Sequence, residues 1–224
     1  MPKASFISTD NRQLEVEYET FGDPSHPALL MIMGYSAQMT AWPEGFIKKL
    51  ASAGYYVIRF DNRDCGLSTH LDGVFVDVGP VIAAALFDDP IPPIPYSLVD
   101  MAGDAVALLD HLGIERAHIA GMSLGGMVSQ VVAYTHPHRV MTLTSISSQP
   151  GDPEVGQPTM EASAVIFEEA PAGMSREDYI ESSLNWQVWQ SQKYRDDNLS
   201  RTAAALAYDR AFYPEGATRQ LAAV

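Results

Sequence analysis

The stretch HIAGMSLGGMVSQ, residues 118–130, sets Ser123 between Gly121 and Gly125, with Gly126 following. A serine hydroxyl becomes a useful nucleophile beside a base and beside groups that hold developing negative charge. Glycine costs about 1 kcal/mol against alanine inside a helix, so regular structure alone does not explain this cluster. The spacing G-x-S-x-G suits a sharp turn from a buried strand into a helix, where missing side chains let the two elements close around the serine. There the serine oxygen stands at the carboxyl end of the strand. The helix N-terminus favours negative charge, and the N–H of Leu124 points at the reacting centre. The chemistry that fits is attack on a carbonyl carbon through a covalent intermediate.

A bare G-x-S-x-G arises by chance in roughly one chain of this length in ten or fifteen, so its setting must decide. Here AHIA precedes it as a strand and MVSQVVA follows it as a helix, which is the context the motif requires. A second stretch agrees. IMGYSAQMTAW, residues 32–42, follows an earlier buried strand, and Gly34 lets the chain bend across the top of the sheet. The N–H of Tyr35 then joins that of Leu124 as a second oxyanion donor. RFDNRDCGLST, residues 59–69, reads as a structural turn, with Asp61, Arg63 and Gly66 stapled by a carboxylate and a guanidinium. Cys65 reads as a small packed residue.

The elements that must position these groups follow from hydrophobic patterning. QLEVEYETF, residues 13–21, alternates as a half-buried antiparallel strand. ALLMIMG (28–34), YYVIRFD (55–61), AHIAG (117–121) and VMTLTSIS (140–147) are apolar runs of the buried parallel kind. Helical patterns lie between them. WPEGFIKKLASAG runs from Pro43 to Gly54, and SLVDMAGDAVALLDHLG opens on a capping box, Ser97 to Asp100. In the second of these Leu98, Met101, Ala105, Leu108, Leu109 and Leu112 form one apolar stripe. LGGMVSQVVAYTH is the helix after the serine. Strands alternating with helices predict a mostly parallel, twisted α/β sheet with helices on both faces. After about residue 150 three helical patterns follow one another without a strand, which predicts a core over 1–150 and a helical cap over 151–224.

Composition bounds the function. The 224 residues are 46% hydrophobic and 19% charged, with a formal net charge of −14. Such a chain lacks the basic face that phosphate backbones need, so no nucleic-acid partner is expected. No apolar run approaches the ~18 residues of a membrane span, and the start of the chain has no apolar signal region, so a cytoplasmic location is expected. One cysteine provides neither a disulfide framework nor a metal cluster, and no cofactor is expected.

Taken in order, IMGYSAQ, FDNRDCGLS, PYSLVDMAGDAVALLDHLGIERAHIAGMSLGGM and HPHRV resemble the α/β-hydrolase superfamily. They are especially similar to its bacterial esterases around aclacinomycin methylesterase and the LipG type. The resemblance implies a nucleophile at Ser123, oxyanion donors at Tyr35 and Leu124, and a cap after residue 150. It also implies a catalytic acid and a histidine on two further strands after the cap, whereas the sequence ends at RQLAAV, where the next of those strands is expected to begin. Without those strands VMTLTSIS is expected to be an exposed edge that invites self-association.

Among the histidines, His26, His111, His118, His136 and His138 fall at the wrong end of the sheet to serve Ser123, and only His70 lies on the correct side. Asp152 lies on the correct side for a carboxylate, in a setting, QPGDPEV, that also reads as an ordinary turn. Phe167, Trp186, Trp189, Tyr194 and Phe212 are the candidates for an apolar substrate pocket under the cap; the alternative is that they form the cap's own core. The expected function is hydrolysis of a small-molecule carboxylic ester through an acyl-enzyme on Ser123. Two alternatives stand beside it: a cofactor-free haloperoxidase with the same constellation, and a non-catalytic binding protein on a hydrolase scaffold.

Overall fold

A computed structural model describes residues 2–152, 155–168 and 170–224. Six strands form one sheet among them: β1 (Lys3–Ile7), β2 (Gln13–Phe21), β3 (Ala28–Ile32), β4 (Tyr56–Phe60), β5 (Ala117–Met122) and β6 (Val140–Ile146). Their order is β1-β2-β4-β3-β5-β6, with β1 and β2 antiparallel and β4, β3, β5 and β6 parallel. The parallel strands are the apolar runs of the sequence. Leu30, Ile32, Ile58 and Ile119 are fully buried because both faces of the sheet carry helices.

Helices α1 (Glu44–Ser52), α2 (Val78–Phe87), α3 (Leu98–His111) and α4 (Leu124–Thr135) join these strands. The expected capping box on α3 is present: the Ser97 N–H donates to Asp100 at 2.8 Å, and the Asp100 N–H donates to the Ser97 hydroxyl at 3.4 Å. Its stripe of Met101, Ala105, Leu108 and Leu109 fills the main core. Beyond β6 come α5 (Met160–Ile166), α6 (Arg176–Ser182), a 3₁₀ segment (Ser183–Trp189) and α7 (Asp197–Ala211), with no strand among them.

Three elements lie outside the patterns read from the sequence. β1 is short and buries little besides Ala4. α2 is apolar nearly all round, with no stripe to give its period away; Val81 and Ala84 are buried while Leu86 and Phe87 are exposed. The third is a correction. RQLAAV does not begin a strand, because it closes a helix, α8 (Glu215–Ala222). Gly216, Arg219, Gln220 and Ala223 recur at helical spacing on one buried face, and Ala223 joins the main core.

Among the described residues β6 is the last strand of the sheet, and only β5 pairs with it. Its five central residues are exposed, Met141 and Leu143 among them. No helix among the described residues is long and apolar enough to cross a membrane.

Candidate active site

Ser123 occupies the single residue between β5 and α4, at the carboxyl end of the parallel strands. Its backbone sits at φ 52°, ψ −121°, a region that costs a non-glycine residue about 1–3 kcal/mol and persists only where the surroundings impose it. Those surroundings are visible. The Ser123 N–H donates to the Ile146 carbonyl at 2.9 Å, and its carbonyl accepts from Gly126 N–H at 2.8 Å and the Ser148 hydroxyl at 2.8 Å. The glycines make the closeness possible. A Cβ on Gly121 would lie 2.0 Å from the Gly125 carbonyl oxygen, and one on Gly125 would lie 2.2 Å from that of Ile32. Strand and helix therefore meet backbone to backbone, and the serine side chain is left exposed above them.

The loop after β3 closes over this serine. Gly34 is so near that a Cβ there would lie 3.2 Å from the Ser123 Cβ. Tyr35 follows directly, which brings its backbone to the same side as the first turn of α4. Leu124 opens that helix, where the leading N–H groups have no intrahelical acceptor.

The turn after β4 holds the loop from below. The Asn62 side chain donates to the Met33 carbonyl at 2.9 Å, and the Asp61 carboxylate accepts from the Met39 N–H at 2.7 Å and the Leu67 N–H at 2.9 Å. The turn is structural, but Asp61 and Arg63 do not staple one another. The charge on Asp61 is met by Arg210 of α7 at 2.7 Å. Arg63 points away, into α3, where it meets both Asp104 oxygens at 2.6 and 2.7 Å and Asp10 at 3.1 Å. Asp64 accepts a two-pronged pair from Arg219 of α8, both at 2.8 Å. Local spacing missed these partners because they lie 41 and 155 residues away along the chain. Burial pushes the Asp104 carboxyl up, to about 6, against the pull of Arg63. Burial also pushes the Cys65 thiol well up, as suits a packed thiol without nucleophilic character.

Three of the histidines have partners away from Ser123. His70 is stacked flat on Tyr213, centroids 3.7 Å apart, with Nε2 3.0 Å from the Gly66 carbonyl oxygen. His118 contacts the Thr142 hydroxyl, and His111 packs on Tyr18. Among the described residues no side chain hydrogen-bonds the Ser123 hydroxyl. No group of three His, Cys, Asp or Glu among them is placed to hold a metal.

The five aromatic candidates are dispersed. Trp186 lies against Tyr35, centroids 6.2 Å apart, and so borders the loop over Ser123. Trp189 donates to the Ala162 carbonyl at 3.1 Å, and Phe212 stacks on Tyr208 at 4.7 Å; both contacts are internal to the helical segment. Phe167 and Tyr194 are exposed, the latter beneath the Lys193 ammonium.

Comparison with known proteins bears on the fold. A family model described as alpha/beta hydrolase fold matches residues 27–180. Rhodomycin D methylesterase DnrP of Streptomyces peucetius is 36% identical over 134 residues, which is 60% of this chain and 39% of that protein. 3-oxoadipate enol-lactonase 2 of Acinetobacter baylyi is 29% identical over 140 residues, 62% of this chain and 44% of that protein. The chain thus spans less than half the length of these curated relatives. The solved enol-lactonase of Burkholderia xenovorans LB400 covers 98% of this chain and 72% of its own, with a TM-score of 0.65 at 19% identity, a likeness of fold. With a family model spanning most of the chain and the serine turn at its centre, this chain belongs to the α/β-hydrolase family.

Proposed function

We propose that the chain carries the nucleophile and oxyanion site of a serine hydrolase acting on small carboxylic esters. The observation that carries the reading is the backbone of Ser123, held at φ 52°, ψ −121° between β5 and the first turn of α4. In this mechanism a histidine takes the proton from the Ser123 hydroxyl as its oxygen attacks the ester carbonyl. The carbonyl oxygen becomes an oxyanion held by the N–H groups of Tyr35 and Leu124. The alcohol leaves with a proton, and water then releases the acid from the acyl-serine. The histidine and its carboxylate partner are expected from the strands that the family resemblance places after the cap. The relatives' names, a methylesterase and an enol-lactonase, support attack at an ester carbonyl.

The same reading divides the chain into a core, residues 1–150, and a helical cap, residues 151–224. Trp186 is the cap residue assigned to the substrate mouth, since it borders Tyr35. Phe167, Trp189, Tyr194 and Phe212 are assigned to the cap's remaining surface and packing.

A serine-directed fluorophosphonate, applied to the protein together with its histidine-bearing strands and followed by mass spectrometry of the digested protein, tests the nucleophile. Label on Ser123, lost in Ser123→Ala, is the expected result. Label confined to other serines overturns the assignment. One observation favours a second reading, a binding protein on a hydrolase scaffold: no described histidine reaches the Ser123 hydroxyl. That reading expects ester ligands to bind without turnover and without the label.

A further inference from the structure

The loop that carries the second oxyanion donor is held by a residue far away in sequence. Gly34 to Ala37 form a tight turn in which the Ala37 N–H donates to the Gly34 carbonyl at 3.2 Å. That carbonyl belongs to the same peptide plane as the Tyr35 N–H, so the turn sets the direction of the donor. Ser36, third in the turn, has φ 52°, where glycine is the usual residue and serine is strained. In such turns the middle peptide can stand either way, and a serine in third place favours the other orientation, so residues 34–37 alone do not select the one observed.

The selection comes from α8. The Ser36 N–H, part of that middle peptide, donates to the side-chain oxygen of Gln220 at 2.8 Å. Gln220 is fully buried, and its amide nitrogen donates to the Arg63 carbonyl at 2.8 Å. Both ends of the amide are therefore used, which fixes its orientation. α8 itself cannot drift, because Arg219, the preceding residue, is paired with Asp64 through two hydrogen bonds of 2.8 Å. A flipped middle peptide would leave the Gln220 oxygen buried and unpaired, a cost that opposes the flip.

We propose that Gln220 is a positioning residue for the oxyanion site: through the Ser36 N–H it anchors the turn of residues 34–37 to α8 and thereby keeps the loop, and with it the Tyr35 backbone, in place over Ser123. The proposal rests on the serine-hydrolase reading. Replacing the glutamine by leucine keeps its bulk and removes both hydrogen bonds. Gln220→Glu keeps an acceptor for the Ser36 N–H and, as the neutral acid, a donor for the Arg63 carbonyl.

The test uses the protein together with the strands expected to carry its histidine and acid, and measures hydrolysis of a short-chain nitrophenyl ester and amide hydrogen exchange across residues 34–37 in the same variants. Gln220→Leu is expected to lower kcat about tenfold to a hundredfold with KM within about threefold, since a donor is misaimed rather than removed. Exchange at Ser36 is expected to quicken while β5 and α4 keep their protection, and Gln220→Glu is expected to recover most of kcat. Unaltered kcat, or exchange that quickens evenly across the whole core, overturns the proposal. If Ser123→Ala matches the unaltered chain in hydrolysis, the serine-hydrolase reading fails instead. The exchange at Ser36 then decides by itself whether Gln220 holds the loop.

Discussion

Replacing Gly121 by alanine puts the strand-to-helix turn to its hardest test. The added Cβ would stand 2.0 Å from the Gly125 carbonyl oxygen and 2.3 Å from the Ser129 hydroxyl. Carbon contacts settle near 3.5 Å, so α4 must retreat by about 1.5 Å or β5 must bend by as much. Neither is cheap. The Ser129 hydroxyl donates to that same Gly125 carbonyl at 2.6 Å, and Gly125 in turn lies against the backbone of Ile32. Overpacking costs 1–3 kcal/mol in typical cores, and a clash with backbone on the far side puts this substitution at about 3 kcal/mol or more. For a chain of this size that is a fall in Tm of about 6–12 °C. Gly45→Ala is the matched control. It lies in α1 with nothing within 4 Å of the new Cβ, and is expected to gain about 0.5–1 kcal/mol from helix propensity. Urea and thermal unfolding of the two variants beside the unaltered chain supply the measurement. If Gly121→Ala unfolds within about 1 kcal/mol of the unaltered chain, the close meeting of β5 and α4 does not hold Ser123 in place, and the argument from the glycines fails.

The remaining expectations are independent of that one. Ser123→Gly relieves the positive φ and is expected to stabilise the fold by about 1–2 kcal/mol while abolishing fluorophosphonate labelling; a loss of stability would show that the backbone there is unstrained. Arg63→Met leaves the buried Asp104 without its partner and is expected to cost about 3–5 kcal/mol in urea unfolding, far more than the loss of a solvent-exposed pair such as Arg201–Glu181. Burial raises the Asp100 carboxyl, but hydrogen bonds from Ser97 and Thr9 and the nearby Arg63 charge outweigh it and hold it below the usual carboxylate range. A lowered pKa gives stability that is present above the ordinary value near 4 and is lost as pH falls through the folded value. Asp100→Asn should therefore flatten the acid limb of the stability–pH curve, and an unaltered limb below about pH 4 would refute the assignment.

Much of the framework is legible in the residue order, because its causes are local. The apolar runs at 28–34, 55–61, 117–121 and 140–147 become β3, β4, β5 and β6, since a strand buried on both faces needs an unbroken apolar run. The Ser97–Asp100 pair caps α3 as its spacing requires, and the glycines around Ser123 announce the turn that only they permit. What the residue order hides is every contact made across long separations. Asp61 and Arg63, two residues apart, take their partners from α7 and from α3, because the turn points their side chains to opposite sides. RQLAAV could extend or coil by its residue types; the burial of Arg219 and Gln220 against the turn after β4 decides for a helix. The turn at Ser123 is thus written in local spacing. The hold on Tyr35 is not, because it depends on a hydrogen bond between residues 184 apart, which only the folded chain brings together.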